Sequence, residues 1–285
     1  MPGALADVAG GVTAVTGFEK GSGKTTLLGA LRPLARRAGP VALFGIGVDG
    51  SLKAGGDGRA AVVRVEEGDV VQTTDLFARA SSARLEILDV LPSRTSLGRL
   101  LLGRAVRAGE VTLVGDESLS ALSRSIDLVR DEQWAASVLV DGAASRITQA
   151  AALDGVRFLY TVRVDGGNLS RVAERVWALA ALAMLPVVPE PSEGTFRVEG
   201  PLTEEGREAL PRDLGALSLE DLTKSFLPPR LLLRLLETVA CSVRRGIALL
   251  GVVALRRDVT AEELRAAVGP VAAPFLLPSP FEAAA

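Results

Sequence analysis

With 285 residues, 48% apolar and 23% charged, the chain has material for a large packed core and a formal net charge of only −2. That balance gives no electrostatic footprint for DNA or RNA. There is no histidine, and Cys241 is the single cysteine, so imidazole metal sites, Ser–His catalysis, intramolecular disulfides and multi-thiolate zinc sites are excluded. The start, Met1-Pro2-Gly3-Ala4, does not read as a signal peptide, and the longest apolar stretch, 176–188, is too short to cross a bilayer. The expectation is a cytoplasmic protein without membrane or nucleic-acid partners.

The first apolar run, Val12-Thr13-Ala14-Val15-Thr16, predicts a strand, and residues 27–38 predict a helix. Between them lies Gly17-Phe18-Glu19-Lys20-Gly21-Ser22-Gly23-Lys24-Thr25-Thr26. A strand, a glycine-rich turn ending Gly-Lys-Thr and then a helix is the setting of a phosphate-binding P-loop. Small residues let backbone N–H groups turn toward an anion, the helix N-terminus adds partial positive charge, and Lys24 adds a full charge. Lys20, Gly21, Ser22, Gly23, Lys24, Thr25 and Thr26 would form the cradle, with the Thr25 hydroxyl offered to Mg²⁺. Phe18 stands where the pattern's first glycine is usual, and Gly17 comes one place early. Such a turn is also an ordinary helix entry, but the flanking elements favour nucleotide. The chain has only four lysines, and two of them, Lys20 and Lys24, fall in this loop. A compact ammonium suits phosphate oxygens.

Val41-Ala42-Leu43-Phe44 reads as the next strand, ending in Gly45-Ile46-Gly47-Val48-Asp49-Gly50. Residues 61–65 and 70–73, joined by Glu66-Glu67-Gly68-Asp69, predict a hairpin. Residues 97–108 predict a helix stopping at Gly109, and Val111-Thr112-Leu113-Val114 a short strand before Gly115-Asp116. A helix over 118–131 would be capped by Ser118. Strands follow at Val138-Leu139-Val140, before Asp141-Gly142, and at Phe158-Leu159-Tyr160-Thr161-Val162, with a helix over 169–185. Short apolar strands separated by helices predict an α/β fold of the P-loop NTPase type, a mostly parallel sheet with helices on both faces.

The proline-rich stretch 186–194 suggests a boundary. Residues 1–188 would then be the nucleotide-binding domain and 189–285 a C-terminal α/β extension or continuation of the sheet. In that second part, 196–198 and 247–255 read as strands, and helices are expected around 203–210, 230–243 and 261–268. Cys241 falls in the second of these helices, as a small packed hydrophobe.

Ligands of open α/β sheets bind beyond the carboxyl ends of the strands. Asp141, after three β-formers and before Gly142, has the form of a Walker B residue and could hold Mg²⁺ directly or through water. Asp49 could reach the metal or orient an attacking water, and Asp116 has a similar setting. Asp-Gly pairs also close strands as plain turns, the reading that suits Asp165. Arg146 could steady phosphate charge or form a surface ion pair. Lys20 either caps a phosphate, with a homodimer interface as one route to it, or is solvated. The only asparagine, Asn168, precedes Leu169, so the Asn-Lys-x-Asp guanine motif is missing and ATP is expected.

The chain resembles the P-loop ATPase subunit of the lysine 5,6-aminomutase reactivase family. The likeness lies in Gly17-Phe18-Glu19-Lys20 with Gly23-Lys24-Thr25-Thr26, in Gly45-Ile46-Gly47-Val48-Asp49-Gly50, around Glu67-Gly68, and in Val140-Asp141-Gly142-Ala143-Ala144-Ser145-Arg146. It continues at Glu199-Gly200-Pro201-Leu202-Thr203 and Leu219-Glu220-Asp221-Leu222-Thr223-Lys224, and so extends over roughly the whole length. The resemblance implies an ATPase with a MutS-like companion subunit. Its client would be an adenosylcobalamin-dependent aminomutase, opened so that damaged cobalamin leaves and intact cofactor enters. The cobalamin would belong to the client, since this chain has no histidine to serve as an axial ligand. Two other readings stay open on the same scaffold. One is an ATP-dependent small-molecule ligase or kinase of the dethiobiotin-synthetase kind; the other is a nucleotide-binding scaffold that hydrolyses little.

Overall fold

Val, Ala and Thr in unbroken succession make β1 (Val12–Gly17) a strand buried along all six residues. The computed structural model describes residues 3–19, 21–46, 61–116, 118–142, 147–153 and 155–281. β1 is followed by α1 (Lys24–Ala35) and by β2 (Val41–Gly45), whose five residues are also all buried. Continuous apolar runs of this kind mark strands covered on both faces. Next come β3 (Val62–Val65), β4 (Val70–Thr74), α2 (Asp75–Ala80), β5 (Arg84–Thr95), β6 (Gly98–Arg107) and β7 (Gly109–Thr112). Then follow α3 (Leu119–Asp131), β8 (Ser137–Asp141), β9 (Val156–Val164) and α4 (Leu169–Ala183). The later strands are β10 (Phe196–Arg197), β11 (Ala216–Leu219), β12 (Ala240–Val243), β13 (Ala248–Arg256) and β14 (Leu276–Leu277).

The fold is α/β, around a nine-stranded sheet of order β14-β13-β9-β1-β8-β2-β4-β6-β5. β1 lies parallel to both β8 and β9, and β2 parallel to β8 and β4. β6 runs antiparallel to β4 and to β5. Among the described residues, no helix is long and apolar enough to cross a membrane.

The chain divides into two compact units. Met1–Thr161 with Ser279–Ala285 form the first, and Val162–Pro278 the second. In the first, α1 buries Leu27, Leu28, Leu31 and Ala35, and Ser118 caps α3 by accepting the Ala121 N–H, as expected. The second holds α4 and a small parallel sheet, β10-β11-β12. It also contains α5 (Glu204–Glu208), α6 (Pro229–Thr238) and α7 (Ala261–Ala272), which opens on a Thr260–Glu263 capping box and kinks at Gly269.

Three local expectations are corrected. Residues 97–108 do not form a helix but strand β6, reached from β5 by a two-residue turn. A helix there would carry Gly98 and Gly103, each costing about 1 kcal/mol relative to Ala. Pairing with β4 and β5 decides the outcome, and a Cβ on Gly103 would come within 3.3 Å of two Leu85 carbons. The segments at 61–65 and 70–73 are strands but not a hairpin. β3 pairs with β7, and β4 lies beside β2. Finally, the helix expected over 230–243 ends at Thr238, and β-branched Val239 leads into β12. Cys241 is therefore a half-buried strand residue, and burial pushes its thiol up to about 11.

Candidate functional site

The carboxyl ends of β1, β8 and β2 lie side by side, with Val15 in register with Asp141 and Asp141 in register with Gly45. The glycine-rich turn leaves β1 at Gly17. It passes through Gly21 and Gly23 at φ +78° and +89°, a conformation that costs an L side chain strain. Gly23 is the N-cap of α1, and its carbonyl accepts the Leu27 N–H at 2.9 Å. The first turn of α1 holds Lys24, Thr25 and Thr26 and contains no acidic side chain of its own, so any negative charge at the positive end of the helix comes from outside it.

Two contacts hold the turn in shape. The Thr161 hydroxyl donates to the Ser22 carbonyl at 3.0 Å, and the Phe18 and Tyr160 rings pack with centroids 5.3 Å apart. Gly17 is required here for a steric reason. A Cβ at that position would fall 2.0 Å from Ser22 Oγ and 2.9 Å from the Thr161 carbonyl oxygen. The glycine one place earlier than the usual pattern thus lets the turn fold back over the strand. Sequence reasoning misses Thr161, although it lies in an expected strand; the available signal is a hydroxyl level with the end of β1, where Gly17 and Thr161 pair.

The Thr25 hydroxyl donates to Asp141 Oδ2 at 3.0 Å, joining residues 116 positions apart. Lys24 Nζ lies 3.5 Å from the Glu19 carbonyl. Ser22 is 1% exposed, and its hydroxyl has no hydrogen-bond partner among the described residues. Gly21 and Thr26 are exposed, and Gly23, Lys24, Thr25 and Asp141 are partly so. The structure therefore brings together Gly21, Ser22, Gly23, Lys24, Thr25, Thr26 and Asp141 of the residues expected to bind. Lys20, Asp49 and Arg146 lie outside the described residues. Asp165 closes a local turn, accepting N–H bonds from Gly167 and Asn168.

The donor set suits a hard cation shared with a phosphate ligand. Mg²⁺ is commonly held by one or two protein oxygens, with waters and phosphate oxygens filling its octahedron. Thr25 and Asp141 supply such a pair, and no cluster of three His, Cys, Asp or Glu side chains able to hold a metal occurs among the described residues. The Ser22 hydroxyl, beside this pair in the turn, is buried and has no partner among the described residues.

Compared with family models, curated proteins and solved structures, the chain matches none.

Proposed function

We propose that this chain is a P-loop NTPase, with helices on both faces of its sheet, that binds ATP with Mg²⁺ and hydrolyses it. The observation that carries the reading is the Thr25–Asp141 hydrogen bond at the mouth of a glycine turn that opens α1. A hydroxyl at the helix start and a carboxylate at the end of the adjacent strand are the two protein groups that such a metal needs. The amides of Gly21 through Thr26 and the positive end of α1 receive the phosphates, and Lys24 adds a point charge. Mg²⁺ bound there would neutralise charge on the β- and γ-phosphate oxygens. Asp49 and Lys20 belong to the same reading as further metal, water or phosphate ligands. Hydrolysis would be coupled to a conformational change that serves a client protein. By sequence resemblance, that client is an adenosylcobalamin-dependent aminomutase, served together with a MutS-like subunit.

The test is calorimetric titration with ATP and Mg²⁺, followed by phosphate release without any small-molecule co-substrate. Lys24→Ala should weaken ATP binding by about 100-fold or more, because a preorganised charge is lost at an amide-lined site. Unchanged affinity in a folded Lys24→Ala protein would refute the assignment. Phosphate release only when a carboxylate or amine acceptor is added would favour the ligase or kinase reading. Capture of an inactivated, cobalamin-loaded aminomutase in an ATP-dependent manner tests the client.

A further inference from the structure

Asp116 carries an unsolved problem of its own. The residue is 6% exposed. Its Oδ1 accepts the Ser118 N–H at 2.7 Å, at the entry to α3, but Oδ2 is buried without a partner among the described residues. A carboxylate oxygen withheld from both water and donors is costly, and folds keep few of them without a use.

Its place in the sheet suggests the use. Gly45 is in register with Asp141, and paired residues of neighbouring strands project to the same face. A Cβ on Gly45 would lie 3.4 Å from the Gly115 nitrogen and 3.8 Å from Leu113 Cβ. Residues 113–115 therefore pass over the end of β2 on the face to which the Asp141 carboxylate points. Thr73 Oγ1, donating to the Thr112 carbonyl at 2.7 Å, fixes that approach from β4. The turn residue Ser22 occupies the same face. Gly17 follows Val15 by two residues, Val15 pairs with Asp141, and a Cβ on Gly17 would strike Ser22. Asp116 thus follows a segment lying one strand across from Asp141, and strands in a sheet are about 4.8 Å apart.

We infer that Asp116 orients the attacking water at the proposed nucleotide site, an inference that rests on the ATPase reading above. Asp141 is engaged by Thr25 at the metal end, and Asp116 Oδ2 takes the water end. The water oxygen bonds to the γ-phosphorus as the bond from that phosphorus to the β–γ bridging oxygen breaks. The electron pair leaves on the nucleoside diphosphate, and the water's proton passes to Asp116 Oδ2 and then to solvent. At Gly45 a Cβ would already be in van der Waals contact with the 113–115 segment, so the segment passes close over this position.

Asp116→Asn isolates the idea, because an amide oxygen can still accept the Ser118 N–H while the charge on the orphan oxygen is gone. Three readouts are required: melting of the nucleotide-free protein, ATP affinity, and phosphate release, with Asp49→Asn run beside it. The expected result is a melting temperature equal to or above wild type, ATP affinity within about threefold, and kcat lowered about 100-fold with KM little changed. A wild-type rate in Asp116→Asn overturns the inference, whatever Asp49→Asn does. A melting temperature several degrees below wild type also overturns it, by assigning the carboxylate to the framework. A wild-type protein that binds no ATP instead removes the reading on which the inference stands. One that binds ATP without turnover removes the hydrolysis reading together with the inference and leaves a nucleotide-binding scaffold, whereas turnover in wild type that survives intact in Asp116→Asn removes the inference alone.

Discussion

At its N-terminal end α1 begins with two glycines at positive φ, a buried serine hydroxyl without a partner and a lysine in partial contact with solvent. At its other end Arg32 and Arg36 both donate to Asp69, whose side chain is fully buried. Asp69 accepts further N–H bonds from Glu66 at 2.9 Å and Val41 at 3.3 Å, so both of its oxygens are satisfied. Arg32 also reaches Glu66 at 2.6 Å, and Arg36 reaches the Glu67 carbonyl at 2.9 Å. One helix thus has a saturated end and an unsaturated one. The saturated end ties α1 to the turn between β3 and β4. The unsaturated end keeps donors and a hydroxyl unspent, which suits a ligand that is itself multiply charged.

Replacing Asp69 by Ala should have the largest effect on the fold. It leaves Arg32, itself 7% exposed, facing a cavity where a carboxylate stood. Breaking a buried pair by removing one partner typically costs about 3–5 kcal/mol. Chemical unfolding should register a loss of that order, and a loss below about 1 kcal/mol would mean the cluster is not the anchor described. Gly17→Ala should come next, at about 1–3 kcal/mol, the usual cost of forcing atoms into a filled site. Its added carbon meets a backbone oxygen as well as the Ser22 side chain, so the turn itself must move. The stability loss should therefore come with weaker ATP binding, whereas Asp69→Ala, in protein that remains folded, should spare affinity more. Equal affinity losses in the two variants would erase the contrast between the ends of the helix.

The unsaturated end is the more legible in sequence. Its glycines, lysine and threonine occupy consecutive positions, and the strand and helix around them follow from local periodicity, so local pattern alone places the turn. Asp141 is visible as a carboxylate closing an apolar strand, but its contact with Thr25 depends on β8 lying beside β1. The saturated end is not visible. Glu66-Glu67-Gly68-Asp69 reads as a polar hairpin turn, and nothing local says that Asp69 will be buried against two arginines over thirty residues earlier. Strand β6 is hidden for the same reason. Its leucines fit a helix or a strand, and only the distant partners β4 and β5 select between them. Asp116 shows the pattern of Asp141, an acid after an apolar run. What raises its standing is an oxygen left without a partner, which only the folded arrangement reveals.

The smallest expected effect sharpens the comparison by pH. Glu66 has its carboxyl held below its usual 4.5, first by the hydrogen bond from Arg32, then by the Arg32 charge, against a partial desolvation cost, with Arg36 and Arg64 adding. A folded-state value below the unfolded one contributes stability that is fully present above about pH 4.5 and lost as pH falls through the folded value. The Glu66 side chain is 48% exposed, so solvent screens the gain. Glu66→Gln should therefore lower the urea midpoint slightly at neutral pH, and wild type and variant should converge once pH falls below the folded value. A midpoint difference that persists undiminished there would mean Glu66 acts through shape rather than charge. ATP affinity at neutral pH should not change in the variant, because the groups it disturbs lie at the far end of α1 from Lys24 and Thr25.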